Sequence, residues 1–345
     1  MERSQALQPA ANLSAEKIVQ FSLVVSDAEK VARRFSEVFG TAWTFYELKP
    51  EQVVLDDQAV TDADCLLKVG LTEFGGRSLK LIQPVSGPSS YAEFLRETGE
   101  GFYTLGFGTL VDYEQVLGGL KRAGVGIEMQ ASAGDGSLFS VMDTTRDLGC
   151  RIEFSSPACH AGQNPMKRTG ILVPDRAPAV HMDEPVFCGG KKINQVGIVL
   201  EDEKKAARQF EKLLGIGGWK YSYGPPGLTH ASLNEKPVPK SAMKSLDVAF
   251  ANGQLGDIQI ELIRPIGVRP GGCHQRCLDK QGNGIQHLSF GIQADYDAVV
   301  EGMRANGIGA EFSASLKTHR VRVSYFATQE QLGGFQLEVV GKTGA

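Results

Sequence analysis

Glu261 and His287 are chemically reactive side chains set in apolar surroundings. Glu261 interrupts IQIELIRP (258–265) and His287 interrupts GIQHLSF (284–290), two runs whose Ile and Leu content reads as strand. A carboxylate in such a strand either points outward to water or points inward, where it must be paired or bind a cation. The alternation leaves both open, because only Gln259, Glu261 and Arg264 are polar there. Taken alone, an imidazole on an apolar strand reads as a hydrogen-bonded core histidine; with other donors beside it, it becomes a ligand. KTHRVRVSYF (317–326) alternates and could turn His319, Arg322 and Tyr325 toward a substrate or toward solvent. In GGWKYSYGPPG (217–227), Trp219, Tyr221 and Tyr223 form an aromatic group that is either core or substrate-facing. Cys273 and Cys277, with His274 between them, suggest a small metal site, but no second CxxC pair follows, so they read as loop and short helix.

The elements that would position these residues are repeated along the chain. IVQFSLVVSDAEKVARRFSEVFG (18–40) and INQVGIVLEDEKKAARQFEKLLG (193–215) share strand, turn, helix and closing Gly. LKLIQP (79–84) matches IELIRP (260–265), GEGFYTLGF (99–107) matches GNGIQHLSF (282–290), and LGCRIEF (148–154) matches LGGFQLEV (332–339). Equivalent positions lie 175 residues apart at the first landmark and 185 at the last, so the halves differ by small loop insertions. Each half divides again, because DYEQVLGGLKRAGV and DYDAVVEGMRANGI both place an amphipathic helix after an apolar strand. Each quarter reads as a βαβββ unit, giving an α+β chain of four modules paired into two domains, residues 1–154 and 193–345. At 345 residues the chain is long enough for each domain to bury its own core. Residues 155–192, rich in Pro, Gly and small polar residues, read as a linker packed along the surface.

These landmarks resemble the vicinal oxygen chelate superfamily, which includes glyoxalase I, methylmalonyl-CoA epimerase and the extradiol dioxygenases. The resemblance covers nearly the whole chain. It implies cupped mixed sheets and a divalent metal held by one residue from each of four strands. Carried onto the C-terminal half, the ligand positions fall on Gln195, Glu261, His287 and Glu338, all competent donors. This set is similar to that of some glyoxalase I enzymes. In the N-terminal half the same positions are Gln20, Lys80, Thr104 and Glu153. Lys80 puts an ammonium where a cation would sit, so that half is expected to hold no metal. Because Gln20 recurs there, Gln195 is the member of the set with the strongest structural competitor.

Such a site implies one divalent ion, Zn, Mn, Co, Ni or Fe, whose charge two glutamates balance. A small-molecule carbonyl substrate could then lose its α-proton to Glu338 or Glu261 acting as general base, while the ion stabilises the enolate charge. Epimerase, racemase or isomerase chemistry is the expected function, since the phrase QPVSGPSSYAEFLRETGEGF (83–102) and its C-terminal copy are closer to the epimerase pattern. A glyoxalase I-like lyase is the alternative. An extradiol-type dioxygenase needs two His and one Glu with open coordination sites, whereas Gln195 stands at one His position and Glu261 fills a site that should be open. A non-catalytic ligand-sequestering protein would not need all four donors.

Composition narrows the remaining classes. With 36 basic against 40 acidic side chains, a net charge of −4 and no Lys/Arg block, nucleic acid has no electrostatic target. The N-terminus lacks an apolar signal core, and no stretch approaches the roughly 18 apolar residues of a membrane span, so a cytoplasmic protein is expected. The six scattered cysteines read as reduced thiols. Assembly as a homodimer is left open.

Overall fold

The computed structural model describes residues 8–61, 64–132, 135–158, 167–173, 192–224, 228–267, 272–317 and 320–343. Cys159, Cys188 and His319 lie outside them, as does most of the expected linker. The described cysteines, Cys65, Cys150, Cys273 and Cys277, are free thiols.

Two mixed sheets carry the chain, one of eleven strands and one of ten. In the second, Gln195–Val199 runs between a parallel neighbour, Ile258–Pro265, and an antiparallel one, Gly284–Gln293. The first sheet repeats the arrangement with Gln20–Val24, Arg77–Ser86 and Gly101–Thr109. Each opening strand feeds a helix bounded as the sequence implies. Asp27 caps Ala28–Phe39 by accepting from the Lys30 N–H, and Asp202 caps Glu203–Leu214. Gly40 and Gly215 end these helices at φ 69° and 74°, left-handed values that favour glycine.

The fold class expected from the sequence is the fold found, with three refinements. A hairpin in each first module, Glu51–Leu55 with Gln58–Ala59 and Leu228–Leu233 with Lys236–Pro237, leaves its own module and pairs across the half with Ile127–Ser132 and Ala310–Leu316 respectively. Within the segment read as a linker, Lys167–Leu172 is a strand that pairs with Trp43–Leu48 and accounts for the extra strand of the first sheet. The halves do not keep separate cores: Phe35 packs on Phe335 with ring centroids 5.2 Å apart, and Phe74 packs on Phe290 at 5.3 Å. These rings belong to one buried cluster running through both halves, because the helix-covered faces of the two sheets meet.

The face of each sheet away from that cluster forms a cup. In Ile258–Pro265, Ile258, Ile260 and Leu262 join the shared core, so period-two alternation turns Gln259 and Glu261 to the cup.

Candidate functional site

Register brings the C-terminal donors together in two adjacent rows. In the first, Glu261 pairs with Gly197, which pairs on its other side with His287. In the second, Gln195 pairs with Ser289, Ser289 with Glu338, and Glu338 with Tyr325. Four strand positions distant in sequence thus meet at the floor of one cup.

His287 is fully buried, and its Nε2 lies 3.9 Å from Glu261 Oε2 and 3.9 Å from Glu338 Oε2. That is too long for a hydrogen bond, and Nε2 has no partner. Two ligands side by side on one ion at about 2.1 Å would stand roughly 3.0–3.5 Å apart. Among the described residues no three His, Cys, Asp or Glu side chains already close on a single point, so the donors surround a gap and not a finished coordination shell. Gln195 lines the same cavity, with its amide nitrogen donating to Gln259 Oε1 at 2.7 Å.

The electrostatics are those of a site short of positive charge. Burial, and then the facing Glu338, push the Glu261 carboxyl up to about 8. Burial also raises Glu338, against the hydrogen bonds of Tyr325 and Ser289. Burial holds His287 down to about 3, which keeps the imidazole neutral and its nitrogen lone pair available. Among the described residues no Lys or Arg pairs with either carboxylate. Two buried carboxylates, a neutral imidazole with an unpartnered nitrogen and a neighbouring amide fit a divalent cation, since the ion would supply the missing partner of each.

Other expected residues separate. The Tyr325 hydroxyl donates to Glu338 Oε1 at 2.6 Å, and its ring stands edge-on to His287 at 5.0 Å. Tyr221 and Tyr223 are exposed on an edge strand, and Ser222 between them lines the cavity instead. Arg322 is also misplaced by the substrate-contact reading: it pairs with Asp297 at 2.6 Å and covers the Tyr296 ring, on the face opposite Val321, Val323 and Tyr325. Alternation turns Tyr325 to the cup and Arg322 away from it, and on the edge strand it gives the inward place to Ser222.

Gly197 is not singled out by the sequence, and His274 is weighed there only with Cys273 and Cys277 and then read as loop and short helix. A Cβ on Gly197 would lie 2.0 Å from His287 Cε1, so the missing side chain is the space the imidazole occupies. The available signal was a glycine inside a Val/Ile strand, which marks close approach. Buried His274 lines the cavity, donates through Nδ1 to Gln286 Oε1 at 2.7 Å and packs edge-on against Tyr325. Burial pushes the Cys277 thiol up to about 12 and also raises Cys273, so neither is a ready thiolate ligand.

Residues 194–325 match the model of the Glyoxalase/Bleomycin resistance protein/Dioxygenase superfamily. A substituted form of 4-hydroxymandelate synthase from Streptomyces coelicolor is similar in structure over 96% of this chain and 94% of its own, with a TM-score of 0.55 at 17% identity. The two share a fold. Methylmalonyl-CoA epimerase from Mycobacterium tuberculosis aligns with 44% of this chain and 87% of its own at 23% identity and a TM-score of 0.30. No curated protein matches the sequence. No helix among the described residues is long and apolar enough to cross a membrane.

Proposed function

We propose that this chain is a metal-dependent enzyme that moves a proton to and from the carbon beside a carbonyl, acting as an epimerase, racemase or isomerase. The observation that carries the reading is the unpartnered Nε2 of His287 between two buried carboxylates that no described cationic side chain neutralises. Gln195, Glu261, His287 and Glu338 would hold the ion. When bound, a divalent ion supplies Lewis acidity toward the substrate carbonyl and stabilises the charge that develops on its oxygen.

The two glutamates differ in how firmly they are held. Glu338 is tied by Tyr325, whereas Glu261 has no hydrogen bond among the described residues. Glu261 is therefore the carboxylate free to swing toward carbon, take the α-proton and return it. Tyr325 keeps Glu338 in place, and the apolar wall limits water that would compete for the proton. Return to the opposite face of the same carbon gives the epimer, while return to the neighbouring carbon gives the isomer of a glyoxalase-type reaction. Gln195 and Glu261 support proton transfer over oxygen chemistry, because two histidines and an open position would suit an Fe(II) oxygenase.

The test is α-hydrogen exchange in D2O, followed by NMR, across a panel of ketones and thioesters with an acidic α-carbon. Metal-loaded protein should exchange at least one member without consuming oxygen, and Glu261→Gln should lose about a hundredfold or more of that rate while retaining metal. Oxygen uptake coupled to product formation would reject the proposal.

A further inference from the structure

The cavity above the four donors has a volume of about 380 Å³ and is divided by chemistry. Its wall is built by Val248, Phe250, Phe312, Leu316, Val323 and Val340. Gln195, Asn252, Glu261 and Glu338 stand together at its floor, and Ser222 and His274 are the other polar side chains besides Tyr325 that line it. No Lys or Arg is among the described residues that line it. The floor offers mainly acceptors: Asn252 pairs across the sheet with Glu261, and the Asn252 Oδ1 is buried without a partner.

Resting on the metal-site reading for the chemistry at the floor, we infer that the part of the substrate enclosed here is an uncharged, apolar group of ring size, joined to the reacting carbonyl. A carboxylate or phosphate inside the cavity would leave water with no described cationic side chain to receive it, facing a wall that is apolar apart from Ser222 and His274. One divalent ion would already be balanced by Glu261 and Glu338. The unpartnered Asn252 oxygen adds a preference of its own, since it is satisfied by a hydroxyl or N–H donor and repelled by an anion. Any charged portion of the molecule belongs outside the mouth.

Two fluorescent probes with one skeleton separate these alternatives in the full-length protein, with and without added Mn(II). N-phenyl-1-naphthylamine is neutral and carries an N–H, and 1-anilinonaphthalene-8-sulfonate adds a single anionic group. The neutral probe should bind one per chain, roughly tenfold or more tighter than the sulfonate. Ala314→Trp, which fills the cavity, should abolish its binding. Leu316→Arg, at a partly exposed wall position that tolerates a long side chain, should shift the preference toward the sulfonate. Equal or tighter sulfonate binding by the unsubstituted protein would overturn the inference, as would neutral-probe binding that neither substitution changes. Mn(II) uptake in the same samples is scored independently. Neutral-probe preference without metal uptake would sink the metal reading and keep this one, and metal uptake without the preference would do the reverse.

Discussion

The two halves place equivalent strands in equivalent register and reach opposite solutions at the floor of the cup. In the C-terminal half Gly197 sits between Glu261 and His287; in the N-terminal half Ser22 sits between Lys80 and Thr104. Lys80 forms an ion pair with Glu153, the counterpart of Glu338, and Thr104 donates to the same carboxylate at 3.0 Å. Ser22 fills the space that Gly197 leaves for an imidazole and shares a hydrogen bond with Thr104. Val141 faces Glu153 where Tyr325 faces Glu338. The N-terminal cup face is closed by its own side chains, with Tyr91, Tyr103, Phe94 and Met129 in one buried cluster. The lesson is that the backbone does not decide whether such a floor calls for a cation. A buried carboxylate is costly without a positive partner; one half builds that partner in as Lys80, and no described Lys or Arg takes the place in the other.

Substitutions can push one half toward the other. Among substitutions that leave the charge at the floor unreversed, the largest effect is expected for His287→Ala, which removes the only imidazole from the four-donor set and should lower metal affinity by at least about a thousandfold. Gly197→Ala comes next, because the added Cβ would lie 2.0 Å from His287 Cε1 and the ring must leave its position. Metal affinity should fall by about a hundredfold or more, measured by competition with a chromophoric chelator. Glu261→Lys copies the N-terminal arrangement in one step. It should eliminate metal binding yet raise the melting temperature of metal-free protein by about 2–4 °C in a thermal scan, because it gives the buried Glu338 an ion-pair partner in place of a carboxyl that burial keeps largely protonated. A drop in melting temperature would show that the halves are not interchangeable at this position. The smallest effect is expected for Tyr325→Phe, which loses only the 2.6 Å bond to Glu338 and should weaken metal binding by about tenfold.

Much of this comparison was legible in the sequence, since repeat landmarks fix equivalent positions even where the side chains differ. The match of LKLIQP to IELIRP makes Lys80 the counterpart of Glu261, and the structure gives Lys80 a carboxylate partner. What the sequence left open was the direction in which side chains point. Glu261 lies in a strand too apolar for its alternation to be read, and the shared core beneath Ile260 and Leu262 settles its direction. Arg322 and Tyr325 are separated by an odd number of positions, so a regular strand cannot turn both to one face, and the cup took Tyr325. Tyr221 and Tyr223 mark the same difficulty on an edge strand, where Ser222 takes the inward phase. The joining of the two cores through Phe35, Phe74, Phe290 and Phe335 depends on how the halves pack together, which local periodicity does not encode.

Metal stoichiometry by elemental analysis of the purified full-length chain tests the central claim most directly, with Glu153→Ala and His287→Ala measured beside the unsubstituted protein. About one divalent transition ion per chain is expected, unchanged by Glu153→Ala and lost with His287→Ala. Two ions per chain, or one ion that survives His287→Ala and disappears with Glu153→Ala, would contradict the assignment of the cation site to the C-terminal half.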